Sequence, residues 1–217
     1  MDTLRRHAVK VLVLFDQGNA QLKNVRDVYC KKYDIAGIHR QRLTALTNDV
    51  IRWRGRLDNW LSGLLNKPNR KITPELKNIL RAGIYEVVMD EKTPVFAAVD
   101  TYVEIAKKIL GAGQGKLTNA LLRKSAVLNS TEKPENSSLN KWYSFPRWLW
   151  EKWVKQFGED KTISLANYFN EKVKIDIRRI DTQLSNENLQ SYCKKNDIVI
   201  KPWNNSSIFY NVQHNMS

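Results

Sequence analysis

Residues 80–124 read LRAGIYEVVMDEKTPVFAAVDTYVEIAKKILGAGQGKLTNALLRK. Apolar residues recur through this stretch at helical spacing, Pro94 marks a helix start, and the end is polar and basic, Asn119 with Arg123 and Lys124. It holds no acid–base pair, no set of metal ligands and no nucleophile. That is the make-up of a binding module rather than a catalyst.

Outward from this stretch the helical pattern continues. Thr73-Pro74 places an N-cap before a proline at the first helical position, and Thr93-Pro94 repeats the device. The helix from Pro94 is expected to end at Gly111 and the next to run from about Lys116 to Val127. Upstream, Leu4, Ala8, Val11, Leu12 and Phe15 form one stripe over residues 3–16, with Gly18 as a stop. A second helix is expected from Gln21 to Tyr33 on Leu22, Val25, Val28 and Tyr29. Residues 38–65 form a long helical stretch with Leu43, Leu46, Val50, Leu57 and Leu61 inward and Gly55 as its break. No period-2 alternation interrupts the series, so the first part is an all-α bundle.

The run Gly111-Ala112-Gly113-Gln114-Gly115-Lys116 is not a phosphate loop. Leu110 stands where that motif needs glycine, Leu117 where it needs Ser or Thr, and the run follows a helix rather than a strand. It reads as an interhelical turn.

Hydrophobic residues at 42% exclude a disordered chain, and 217 residues hold one large domain or two small ones. The formal charge of +14 points to an acidic partner. Residues 1–130 carry 23 Lys+Arg against 12 Asp+Glu and residues 131–217 carry 13 against 10, so +11 of the +14 lies in the first part. Arg5, Arg6 and Lys10 share the first helix, and Arg40, Arg42, Arg52, Arg54 and Arg56 line the third. Lys116, Arg123 and Lys124 close the bundle. Guanidinium forks and ammonium groups suit phosphate oxygens, and their binding releases counterions. Asn119 is placed either to contact a nucleotide edge or to cap or tie together neighbouring backbone.

Other classes are disfavoured. Cys30 and Cys193 lie far apart in lysine-flanked settings and suggest neither a disulfide framework nor, with three histidines, a metal site. The apolar run from Val11 to Phe15 is too short for a signal core, and no window has the length of a membrane span. The expectation is a soluble cytoplasmic protein without membrane contact.

Residues 129–141, rich in Ser, Asn and Glu, read as a linker between a domain at 1–128 and a small α/β module at 142–217. The module opens on KWYSFPRWLWEKWVKQFG, with Trp142, Trp148, Trp150 and Trp153. Helices are expected from Pro146 to Phe157 and from about Glu159 to Asn170. A strand over 172–180, a helix from Ser185 to Lys195, and strands near 198–203 and 207–212 should follow. Tryptophans among cations invite a base-stacking role, but packing in the core is the favoured reading.

At this point the residues resemble a known family. LRAGIYEV at 80–87, Pro94 with Ala97 and Ala98, Val103 with Ala106, and TNALLR at 118–123 resemble the C-terminal half of a NusB-type RNA-binding helical domain. RRHAVKVL at 5–12 and IRWRGRLDNWL at 51–61 fit the same pattern in the same order. The resemblance implies a bundle that binds RNA through its first helix and neighbouring helix ends, and it carries over to Arg5, Arg6, Asn119 and Arg123. Asp49 departs from it, standing where the family has glycine. WYSFPRWL at 142–149, then FGED and a strand ending in arginines, resemble the RRM-like segment of RsmB-type 16S ribosomal RNA cytosine-C5 methyltransferases, which joins the NusB-like domain to the catalytic one. Ile177-Arg178-Arg179-Ile180 replaces that family's Leu-Arg-Val-Asn, so the asparagine's role does not transfer.

That family's chemistry needs an S-adenosylmethionine pocket and two cysteines preceded by Pro or Thr, and neither feature is found in these residues. The expectation is therefore a chain that is not itself an enzyme, binds no cofactor unless a catalytic domain follows, and recruits ribosomal RNA. A stand-alone NusB-like antitermination adaptor, working with a ribosomal-protein-like partner, is the alternative.

Overall fold

The computed structural model describes residues 2–65, 72–135, 137–171, 175–180, 185–204, 206 and 208–213. By contacts the chain divides into two compact units, Met1–Phe169 and Asn170–Ser217. The Trp-rich helices thus group with the bundle, whereas the sequence assigned them to the α/β module.

All the regular elements among the described residues of the first unit are helices. In order come α1 (Asp2–Gln17), α2 (Leu22–Lys32), α3 (Gly37–Arg52), α4 (Arg54–Leu64), α5 (Pro74–Val88), α6 (Val95–Leu110) and α7 (Ala112–Ser125). They are followed by the short α8 (Leu139–Trp142), α9 (Arg147–Phe157) and α10 (Glu159–Asn170). Helix α5 is the centre: Leu76, Ile79, Leu80, Ala82 and Ile84 are buried, and α1, α3, α4, α6 and α7 all pack on it. A helix so enclosed must bury polar groups as well, and Asn78, Arg81 and Glu86 are each met by partners. Helix α1 contributes Ala8, Val9, Val11 and Leu12 to the same core.

Several boundaries differ from the sequence reading, each for a local reason. Thr73 caps α5 as expected, its Oγ1 accepting from the Leu76 N–H at 3.3 Å. Thr93 does not cap α6; its hydroxyl donates to Asp90, and Pro94 itself takes the N-cap position. Between α3 and α4 the break falls at Trp53, not at Gly55, which lies inside α4. Helix α7 begins at Ala112, four residues before the expected start, because Gly111 at φ 90° makes the whole turn alone. Gly115 then lies where α6 and α7 cross: a Cβ there would sit 2.3 Å from Lys107 Cγ. Val28, expected inside, is 71% exposed.

The linker expected at 129–141 ends in α8, whose Trp142 enters the bundle core beside Trp60 (ring centroids 6.2 Å). Arg56 of α4 holds this return segment. Its backbone N–H donates to Ser144 Oγ at 2.8 Å, and its guanidinium donates to the carbonyls of Trp142 (2.5 Å) and Ser130 (3.1 Å). The guanidinium lies over the rings of Trp142 at 3.7 Å and Trp53 at 4.4 Å. Burial pushes its pKa down to about 10.

The second unit holds β1 (Ile175–Arg178), α11 (Asn186–Lys195), β2 (Val199–Pro202) and β3 (Phe209–Gln213). Its sheet is antiparallel in the order β1-β3-β2, with Ile177 opposite Tyr210 and Ile200 opposite Val212. Leu189 and Cys193 of α11 pack on Tyr210, Ile177 and Ile200. Ser185 caps α11 through the Asn188 N–H. Residues 172–174 of the expected first strand, and residue 207 of the last, lie outside the described residues. The protein is mainly α with one small sheet, as the sequence indicated.

Candidate nucleic-acid interface

The basic residues separate into two groups by the helices that carry them. Helices α1, α2 and α3 pack on one another, whereas α7 packs chiefly on α6, α5 and α4. Arg5, Arg6, Lys10, Arg40 and Arg52 belong to the first group; Lys116, Asn119, Arg123 and Lys124 belong to the second.

Arg5 turns inward. It is buried, its Nε donates to Glu86 Oε2 at 2.6 Å, and its guanidinium stands 6.0 Å from the Tyr102 ring centroid. Burial pushes the Glu86 carboxyl up despite the opposing charge of Arg5. The helical period explains the split: Arg5 shares the face of Ala8, Val9 and Leu12, while Arg6 and Lys10, four apart, lie towards solvent. Arg6 and Lys10 have no carboxylate partner among the described residues. Arg40 is exposed and donates to Asp27 at 2.9 Å, and Arg52 is half-buried at the end of α3. Of the other arginines singled out in this region, Arg54 is committed to Asp16 at 2.9 Å, and Arg56 to the tryptophans.

The structure adds aromatic rings that sequence spacing did not assign to this surface. Tyr29 and Tyr33 of α2 and its end lie 4.5 Å apart by ring centroids, and Lys10 and Lys32 stand 6.0 and 5.6 Å over the Tyr33 ring. Tyr33 is 44% exposed. His7 Nδ1 meets the Tyr29 hydroxyl at 2.8 Å. Burial, with the charges of Arg6 and Lys10, lowers the His7 pKa, so its imidazole is neutral at neutral pH. Burial pushes the Tyr29 phenol up to about 12. Next to these residues a groove of about 530 Å³ runs between α1 and the start of α3, lined by His7, His39 and Arg42. A second groove of about 530 Å³ shares Leu4 and Arg42 with it and reaches Asp49 and Lys92. Asp49 finds a local partner: its Oδ2 accepts from the Tyr85 hydroxyl at 2.9 Å.

On α7, Lys116, Arg123 and Lys124 are exposed and Asn119 is half-buried. Asn119 Oδ1 accepts from Arg123 Nε at 3.0 Å, a tie between two side chains along the helix and not to backbone. Arg123 and Lys124 also sit in the last turn, where the helix dipole favours cations. Beside them, Val95, Phe96, Val99 and Arg123 line a shallow groove.

Neither cysteine is presented as a nucleophile. Both are buried, and burial pushes the Cys30 thiol up. Among the described residues no helix is long and apolar enough to cross a membrane.

The first unit is thus a basic all-α bundle with aromatic rings set among its surface cations. The chain belongs to the NusB family, whose model matches residues 2–127, more than half of it. Similarity to the Synechocystis "Probable ribosomal RNA small subunit methyltransferase B" is 32% identity over 152 residues, 68% of this chain and 34% of that one. The chain thus spans about a third of the length of that relative. The "Transcription antitermination protein NusB" of Shewanella halifaxensis is 26% identical over 126 residues, 58% of this chain and 93% of that protein. Among solved structures, PH0851 matches 100% of this chain and 49% of its own at TM-score 0.61 and 16% identity. The antitermination factor NusB, solved with NusE and dsRNA, matches 58% of this chain and 94% of its own at TM-score 0.53 and 17% identity.

Proposed function

We propose that these 217 residues form the RNA-recruiting part of a protein of the ribosomal RNA methyltransferase B kind and themselves transfer no methyl group. The carrying observation is the extent of similarity. The match to the methyltransferase relative runs over 152 residues, past the 126 matched by the antitermination relative. The surface of Arg6, Lys10, Lys32, Tyr33, Arg40 and Arg42 serves as the main RNA contact, with Lys116, Arg123 and Lys124 as the second. Arg5 acts by fixing α1 through Glu86 rather than by touching phosphate. Ribosomal RNA is the expected ligand.

The test is titration of ribosomal RNA fragments at rising salt. A log–log slope of several units, about −0.7 for each phosphate contacted on single strands, is expected, and salt-independent binding overturns the reading. Calorimetry with S-adenosylmethionine should register no heat of binding; a micromolar site sinks the non-catalytic assignment. A second reading, an antitermination adaptor, is favoured by the 93% coverage of the Shewanella protein and by a structural neighbour solved with NusE. Capture of a NusE-like protein together with RNA on this chain, with no preference for ribosomal RNA, decides for it.

A further inference from the structure

Four tryptophans fall within residues 142–153, and the fold uses them in two ways. Trp142 is in the bundle core. Trp150 is buried and stacks on Tyr143, with centroids 5.6 Å apart and planes 7° from parallel. Trp153 meets Phe145 edge-on at 5.0 Å and stacks with Phe169 at 5.8 Å. Trp148 has no ring partner among the described residues, and 67% of its surface is exposed.

Helical spacing sets Trp148 apart from the packed rings. Lys152 and Lys155 follow it by four and seven residues, on its own face, and both are exposed. Trp153 and Phe157 lie on the far side of α9. Arg147 and Glu151 neutralise one another at 2.6 Å, and neither lysine has a carboxylate partner among the described residues. The uncompensated charges around the ring are therefore positive. A ring meant to dock on protein sits among other apolar side chains. A ring flanked by ammonium groups suits a flat, anionic ligand. Trp150 and Trp153 also anchor α9, so the backbone that carries the ring is fixed before any ligand arrives, which lowers part of the entropy cost of stacking.

We propose that Trp148 is a stacking platform for an unpaired base of single-stranded RNA, with Lys152 and Lys155 meeting the phosphates on either side. Aromatic stacking with backbone cations is the general solution for single strands and tolerates any base. The site rests on the RNA-binding reading above and extends it beyond the NusB-matched residues.

The experiment is fluorescence anisotropy of a labelled single-stranded RNA of about twelve nucleotides with the whole 217-residue chain. Trp148→Ala is expected to weaken binding about 10- to 100-fold. Trp148→Phe should keep most of the affinity, while Trp148→Leu, apolar but without a ring, should behave as the alanine variant. Equal affinity of Trp148→Leu and the unaltered protein overturns the stacking site while leaving RNA binding by the bundle intact. Absence of RNA binding by the unaltered protein overturns both. Because the ring is mostly exposed, all three variants should melt with the unaltered protein.

Discussion

Arg81 is among the largest side chains the bundle buries, 1% exposed, and the surroundings of its guanidinium explain how a charge survives there. Asp58 takes Nε and Nη2 as a fork, both at 2.7 Å, while Nη1 donates to Asp16 Oδ2 at 2.9 Å and Asn78 Oδ1 at 3.1 Å. Burial alone would push the Asp58 carboxyl up, but the hydrogen bonds and charge of Arg81, with Lys77 and Arg54 behind it, hold it below the usual carboxylate range. A depressed carboxyl stabilises the fold fully above its unfolded pKa, and that contribution is lost as pH falls through the folded value. Asp58→Asn should therefore cost about 3 kcal/mol in urea unfolding at neutral pH, because it leaves a buried guanidinium short of a partner. The gap from the unaltered protein should close as the pH drops below the carboxylate range; a gap constant with pH counts against this pairing. Arg56 poses the opposite case, a buried cation held by two carbonyls and tryptophan faces. Arg56→Ala should lower stability by about 3 kcal/mol by the same measurement, as its carbonyl partners lose their donor and the rings their cation.

At the scale of elements, the attachment of α8 to α4 turns on one missing side chain. A Cβ on Gly55 would lie 2.9 Å from Ser144 Cα, which is backbone and cannot yield. Gly55→Ala should cost about 1–3 kcal/mol and loosen the α8–α9 segment first, with faster amide exchange there than in α5. Uniform exchange would place the strain elsewhere. The same contact shows what was legible in the sequence. The helices α1 to α7 follow from apolar periodicity and from Thr73-Pro74, signals that act within a few residues. Gly55 looked like a helix break because its real partner lies nearly ninety residues away, and no local pattern carries that distance. Trp142 and Trp148 are six apart and chemically identical, yet only the fold makes one core and the other surface. Arg5 and Arg6 make the same point within the candidate site. Their cluster was readable as charge and the helical period turns Arg5 inward, but its partner there, Glu86, is one that no spacing rule links to α1. Tyr33 and Lys32 were missed as site residues because they join Lys10 only when α2 packs on α1.

At the scale of the whole molecule, the excess charge is concentrated in the bundle but split between two helix sets, and RNA binding by each set can be read separately. Arg6 and Lys10 are exposed or half-buried and carry no salt bridge among the described residues, so reversing them leaves the core untouched, which reversing Arg5 would not. If both are phosphate contacts on a single strand, Arg6→Glu with Lys10→Glu should flatten the salt slope of binding by about 1–2 units. Lys116→Glu with Lys124→Glu, on α7, should flatten it by about 1 unit, since its place in the last turn gives part of this basic end a helix-stabilising role. The pairs share no contact, so their effects should add when combined. A full effect from the first pair and none from the second would confine the RNA path to α1, α2 and α3. No effect from either would mean that the charge of the bundle serves solubility, and that the single-strand contact of α9 stands alone.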